Sequence, residues 1–148
     1  MEKIKNILEE EGVKGENLGL EVTESSVMDD PDSAIEILQS LIKEGFVISI
    51  DDFGTGYSSL SYLKKLPIQI LKIDRSFLQG IPEDNENKAI VRSIISIAKS
   101  LNLKMVAEGV ESTEQINFLL KNGCNIAQGY YYSKPLPLEE IIEEYISI

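Results

Sequence analysis

The sequence predicts an α/β fold in which a parallel sheet is built from strands that alternate with helices. Short apolar runs are followed by stretches whose apolar residues recur at three- and four-residue spacing, and this alternation continues along the chain. Strand, helix, strand, helix without interruption requires helical crossovers between parallel strands. We count about five βα units and no low-complexity linker, so residues 1–148 are expected to form one domain.

The elements follow from the periodicity and from capping residues. Strands are expected at about 18–23, 46–51, 69–74, 104–108 and 125–128. Helices are expected at 2–11, from Pro31 to Gly45, near 58–65, across 90–101, after 112–115, and from Pro137. Asp30 before Pro31 is typical of an N-cap followed by the first helical position. Ser112-Thr-Glu-Gln115 has the pattern of a capping box.

Ionisable residues interrupt one side of the predicted strands. Alternate residues such as Ile48, Ile50, Leu71 and Ile73 are apolar, whereas a strand buried on both faces would be apolar almost throughout. The interrupting residues lie near the carboxyl ends of the strands and are Glu21, Asp51, Lys72 and Glu108. Ligands and catalysis are found at that end of parallel α/β folds. Because buried charges without partners are costly, we expect these groups to pair with one another or to bind metal.

The segment from Asp51 to Tyr57 combines two adjacent carboxylates with glycines at two of the next four positions, Gly54 and Gly56. Hard divalent cations prefer oxygen ligands, and glycines allow the backbone to approach a ligand closely. Taken alone, the segment is better explained as a solvated Asp-rich turn. The other ionisable strand ends favour a metal and phosphate site.

Composition excludes several classes of protein. The chain has no histidine, so His-ligated zinc and Ser-His-Asp or Cys-His nucleophiles are excluded. A formal net charge of −11 argues against binding polymeric nucleic acid. No apolar run is long enough to cross a bilayer. The single cysteine, Cys124, cannot form an internal disulfide and is expected to be buried, so a reducing cytoplasm is the simplest location.

Five motifs in order give the chain a family resemblance. They are Leu20-Glu-Val-Thr-Glu-Ser25, DDFGTGYSSL at 51–60, Leu71-Lys-Ile-Asp-Arg-Ser-Phe77, Ala107-Glu-Gly-Val-Glu111 and Gln128-Gly-Tyr-Tyr-Tyr-Ser-Lys-Pro135. With them the chain strongly resembles the EAL domain, the family of bacterial cyclic di-GMP phosphodiesterases involved in signal transduction. The resemblance implies a TIM-like barrel that hydrolyses cyclic di-GMP to pGpG with Mg²⁺ or Mn²⁺ in a two-metal site.

The resemblance also implies roles for individual residues. Glu21 and Asp51 resemble the ligands of one metal, with Asp51 bridging to a second metal that Asp52 also binds. Lys72 resembles the lysine that contacts the attacking water. Glu108 resembles the proposed general base or second-site ligand, and a salt bridge to Lys72 is its alternative interpretation.

Three further residues match a supporting network. Glu111 and Gln128 match residues that support the metals and water, although a backbone hydrogen bond is nearly as good an explanation of Gln128. Glu24 matches the glutamate that steadies the loop after Asp52. Tyr130 to Tyr132 are interpreted as core and rim packing, and the residues that bind substrate are not assigned.

The resemblance does not include the first three strands of the family barrel or its Glu-Ala-Leu segment, and about five strands are expected where a TIM barrel has eight. A partial barrel has open sheet edges, which favour pairing with another chain. We therefore expect a homodimer or another oligomer, weakened metal binding, and turnover that is weak or absent. A non-catalytic module that binds cyclic di-GMP or a protein is the alternative function.

Overall fold

Four parallel strands form one sheet in the computed structural model, which describes residues 2–56 and 60–146, apart from the side chains of residues 2 and 5. The strands are β1 (Gly19–Thr23), β2 (Val47–Phe53), β3 (Ile70–Ile73) and β4 (Lys104–Ala107), in the spatial order β1-β2-β3-β4. Each strand therefore lies beside the next one in the chain, as in a (β/α) barrel, whereas a doubly wound sheet reverses its order. The predicted fold class, a partial TIM-like barrel, is confirmed.

The predicted strand at 125–128 is reduced to one bridge. Ala127 pairs in parallel with Ala107, and the Gln128 N–H donates to the Ala107 carbonyl over 2.8 Å. The Gln128 carbonyl then accepts from Val110, which lies beyond the end of β4. Because the segment turns around Val110 rather than running beside β4, the described residues contain four strands where about five were expected.

Helices lie before, between and after the four strands. They are α1 (Glu2–Glu10), α2 (Glu24–Asp29), α3 (Pro31–Lys43), α4 (Leu60–Leu63), α5 (Asn85–Ser100), α6 (Thr113–Asn122) and α7 (Leu138–Ile141), the last continued by a short π-helix at Ile142–Ile146. In the described part of the chain, none of them has the length and apolar character needed to cross a bilayer.

The predicted caps are present. The Asp30 carboxylate accepts from Ser33 N, and Ser112 and Gln115 form the capping box of α6. Helix α2 was not predicted; it begins where the Thr23 hydroxyl accepts from Ser26 N. The first residues of the helix expected near 58–65, at 58 and 59, lie outside the described residues.

The apolar side of the sheet forms the core. Ile48, Ile50, Leu71 and Ile73 are fully buried and belong to one cluster with side chains of α3 and α5. Fully burying such a side chain contributes about 1.5–3 kcal/mol, so the helices are held on this side. The opposite side of the sheet carries the polar residues of the alternating pattern.

A β-bulge interrupts β2 at the two aspartates. Ile50 pairs with Leu71 and Phe53 pairs with Ile73, so Asp51 and Asp52 together face Lys72 alone. Asp52 has a left-handed backbone (φ 55°), which Asp tolerates better than most residues. The strand was expected to end at residue 51. The bulge instead extends it and returns Phe53 to the apolar side, where it is buried, while Asp51 keeps its place on the polar side.

Candidate active site

The ammonium of Lys72 lies at the centre of a group of carboxylates at the carboxyl ends of the strands. Its Nζ is 2.7 Å from Glu21 Oε2, 3.4 Å from Asp51 Oδ1 and 2.6 Å from Glu108 Oε1. Glu21 lies on β1, Asp51 on β2, Lys72 on β3, and Glu108 directly follows β4. The contacts confirm that the four predicted side chains meet, and they include the salt bridge considered for Glu108.

These four groups differ in their exposure to solvent. The Lys72 side chain is 7% exposed, whereas Glu21 is 55% exposed and Glu108 is 18% exposed. Burial works against the charged form of Lys72. The hydrogen bonds to Glu108 and Glu21 and the charges of Glu108 and Asp51 outweigh that effect, and the pKa of Lys72 is raised. Lys72 is therefore a permanent cation at neutral pH.

Glu108 lies against Lys72 with 18% of its side chain exposed. Burial is the largest influence on this carboxyl group and raises its pKa, and the charges of Asp51 and Glu21 act in the same direction. The Lys72 ammonium opposes them but does not cancel them. The surroundings of Glu108 therefore disfavour its charged form more than those of a surface glutamate do.

Asp52 lies in a different part of the site, beside Asp74. The pKa of Asp52 is raised by burial first and then by the negative charges of Asp51 and Asp74. Asp74 caps the short 3₁₀ turn Arg75–Phe77, where its carboxylate accepts from the main-chain N–H of Ser76 over 2.9 Å and from the Ser76 hydroxyl. Asp74 was not selected from the sequence as a site residue. The signal was available, because Asp74 shares the strand parity of Lys72.

Glu24 ties the end of β2 to the start of α2. Its side chain is buried, and its Oε2 accepts from the main-chain N–H of Gly54 over 2.7 Å. Its Oε1 is buried without a hydrogen-bond partner in the described part of the chain. A Cβ added to Gly56 would lie 2.8 Å from this Oε1, so a larger residue there would force the Glu24 carboxylate to move. The loop that follows Asp52 is therefore fastened to a buried charge.

The structure places Glu111 and Gln128 at the surface, beyond the end of β4. The main-chain N–H of Glu111 donates to Gln115 Oε1 over 2.7 Å, and Gln115 Nε2 donates to the Leu78 carbonyl over 2.8 Å. The main-chain groups of Gln128 bond Ala107 and Val110, and the role of its side chain stays a prediction. Gln115 therefore positions the segment that carries Glu111. Its capping-box motif predicted the bond to Ser112 but not the bonds to Glu111 and Leu78.

The oxygens at these strand ends have the chemistry that a hard divalent cation requires. Three carboxylates each contribute an oxygen within 3.4 Å of a single cationic atom, Lys72 Nζ, so the position stabilises positive charge. Within residues 2–56 and 60–146, however, no group of three or more acidic, histidine or cysteine side chains is arranged so that it could hold a metal ion. The oxygen ligands are of the type that Mg²⁺ or Mn²⁺ prefers, but in this structure they surround the Lys72 ammonium.

Comparison with known proteins identifies close relatives. The EAL domain family model matches residues 1–135. The chain is 46% identical over 148 residues to the cyclic di-GMP phosphodiesterase NbdA of Pseudomonas aeruginosa, and the match covers 98% of this chain and 19% of NbdA. A solved structure titled PaMucR phosphodiesterase in complex with c-di-GMP matches with a TM-score of 0.91 and 47% identity, covering 95% of this chain and 57% of that one.

A second similar solved structure contains a metal ion. BlrP1 of Klebsiella pneumoniae, in a complex with manganese and cyclic di-GMP, matches with a TM-score of 0.77 and 34% identity, covering 84% of this chain and 32% of that one. The chain thus spans about a fifth of the length of NbdA and just over half of the solved MucR chain.

Proposed function

Because the chain belongs to the EAL domain family, we propose that it acts in the hydrolysis of cyclic di-GMP to linear pGpG. The observation that carries the proposal is the convergence of Glu21, Asp51 and Glu108 on Lys72 at the carboxyl ends of neighbouring parallel strands. The named relatives support the substrate, since NbdA is a cyclic di-GMP phosphodiesterase and the MucR structure contains c-di-GMP.

Glu21, Asp51 and Asp52 are proposed to hold the divalent cations, which would be Mg²⁺ or Mn²⁺. When bound, the cations supply Lewis-acid activation of water and neutralise charge on the phosphodiester. Asp51 and Asp52 are adjacent in the bulge of β2, so one short segment presents two carboxylates. The manganese in the BlrP1 complex supports this choice of metal.

Lys72 and Glu108 are proposed to act on the attacking water. Lys72 donates a hydrogen bond that orients the water, and Glu108 accepts a proton as the new oxygen–phosphorus bond forms. The bond from phosphorus to the 3′ oxygen breaks, and that oxygen takes a proton from solvent. The raised pKa of Glu108 supports this role. Glu24 holds the loop after Asp52, and Glu111 and Gln128 support the metals and water.

The isolated chain is proposed to turn over cyclic di-GMP slowly. No described group of three acidic side chains is ready to hold a metal, and Glu21 is 55% exposed on the open polar side of the sheet. A homodimer or another oligomer is proposed to cover this side, at the unpaired outer edge of β1. A chain that sediments as a monomer at micromolar concentration would contradict the oligomer. A cytoplasmic location is part of the same proposal.

The test is direct. The chain is incubated with cyclic di-GMP and Mn²⁺, and the release of pGpG is followed by chromatography, with Asp51→Asn and the exposed control Asp32→Asn in parallel. Turnover that Asp51→Asn abolishes and Asp32→Asn retains would support the phosphodiesterase. Binding of cyclic di-GMP without turnover would support the alternative, a binding module. Neither turnover nor binding would refute both.

A further inference from the structure

Lys72 places a positive charge beside Glu21 and Asp51, two of the residues proposed to hold the divalent cations. One oxygen from each of three carboxylates, Glu21, Asp51 and Glu108, is within 3.4 Å of its Nζ. Lys72 lies in the middle of the sheet, on β3, and its side chain is 7% exposed. Its ammonium is therefore shielded from bulk solvent while it contacts the carboxylates.

The charge of the group explains why an ammonium is needed there. Three carboxylates held together without a counter-charge would repel one another, because buried or half-buried like charges interact strongly. Lys72 reduces a formal charge of −3 to −2 and donates hydrogen bonds to Glu21 and Glu108. The lysine thus offsets part of the repulsion among the three carboxylates in the absence of metal. Its bond to Glu21 occupies an oxygen that a bound metal would need.

Glu21 is the carboxylate that can most easily leave Lys72. It is 55% exposed, against 23% for Asp51 and 18% for Glu108. A glutamate side chain in contact with solvent can change its rotamer at little cost, whereas the two less exposed carboxylates are held by their surroundings. Exchange of a cation for the ammonium is therefore expected to begin at Glu21.

We propose that Lys72 is an internal counter-ion that competes with divalent cations for the carboxylates, and that metal binding displaces it from Glu21. The inference rests on the proposed function only in requiring that the site binds a divalent cation. It does not require turnover. On this view Lys72 weakens the binding of divalent cations, whatever part it has in the reaction.

The first experiment measures Mn²⁺ binding by the loss of the free-ion electron paramagnetic resonance signal in the wild-type chain, Lys72→Met and Lys104→Met. Lys104 is an exposed lysine on β4, so its variant changes the net charge equally outside the site. Lys72→Met is expected to bind Mn²⁺ about tenfold more tightly, the factor that one charge-assisted hydrogen bond represents. Lys104→Met is expected to stay within about twofold of wild type because exposed charges are screened.

A second experiment needs no variant and decides the matter if Lys72→Met does not fold. The wild-type chain is acetylated with an N-hydroxysuccinimide ester with and without Mg²⁺, and the labelling of each lysine is read by mass spectrometry. Labelling of Lys72 is expected to rise with Mg²⁺, while that of Lys104 stays constant.

The inference would be overturned if Lys72→Met bound Mn²⁺ no more tightly than wild type. It would also be overturned if the extent of Lys72 acetylation were the same with and without Mg²⁺. Absence of Mn²⁺ binding from the wild type and from Lys72→Met alike would overturn it together with the metal dependence of the proposed reaction. Tighter binding by Lys72→Met without any pGpG release would uphold the counter-ion and count against the phosphodiesterase.

Discussion

Glu24 offers the sharpest test of how the site is anchored. Its carboxylate is 1% exposed and accepts a 2.7 Å hydrogen bond from Gly54 N. A hydrogen bond to a charged group contributes about 1.5–3 kcal/mol, and the one buried methylene that alanine lacks adds about 0.8 kcal/mol. Part of this sum is offset because the variant no longer buries a charge. Glu24→Ala is therefore expected to lower the free energy of unfolding by about 2–3 kcal/mol.

The assay is urea denaturation followed by circular dichroism, with two companion variants. Glu24→Gln keeps the shape and an oxygen that can accept from Gly54, so its loss is expected to be about 1 kcal/mol. Glu36→Ala removes an exposed glutamate from α3 and is expected to stay within about 0.5 kcal/mol of wild type. The reasoning is refuted if Glu24→Ala behaves like Glu36→Ala, or if Glu24→Gln is as damaging as Glu24→Ala.

Four further substitutions test other parts of the molecule by the same denaturation assay. Gln115→Leu removes three hydrogen bonds to main-chain groups and should cost about 2–4 kcal/mol; a loss below about 1 kcal/mol would contradict that. A Cβ on Gly129 would overlap the backbone of Val110, whereas one on Gly19 would meet nothing within 4 Å. Gly129→Ala should thus be strongly destabilising, and Gly19→Ala nearly neutral; equal effects would contradict the structure. Asp52→Asn removes a charge whose pKa is raised by burial and like charges, so it should stabilise the metal-free chain at neutral pH by up to about 1 kcal/mol after screening. This gain should vanish at acidic pH, where Asp52 is protonated in the folded wild type, and a gain independent of pH would count against it.

The convergence of the site could be predicted because it follows from strand parity. In a parallel sheet the carboxyl ends of neighbouring strands lie at one edge, so polar residues of equal parity must meet there. Glu21, Asp51 and Lys72 satisfy that rule, and Glu108 follows the next strand. The roles of these residues in catalysis stay a prediction.

The features that were not predicted depend on tertiary pairing. The bulge at Asp51 and Asp52 appears only when β2 is set against β3, since no local signal shows that two residues will face one. The single bridge at Ala127 likewise depends on where Val110 directs its N–H. Helix α2 is too short to produce a clear period, and only its Thr23 cap marks its start.

The bulge connects the stability of the fold to the chemistry of the site. In a regular strand Phe53 would share the side of Asp51, and either the aromatic ring would leave the core or the carboxylate would enter it. One extra residue in β2 separates the two requirements: Phe53 is 3% exposed among the apolar side chains, while Asp51 reaches Lys72. The extra residue, Asp52, then stands beside Asp51 and Asp74 at a cost in electrostatic repulsion. A cation bound by the two β2 aspartates would reduce that repulsion. The bulge that keeps Phe53 in the core therefore also places two carboxylates where a bound cation is favourable.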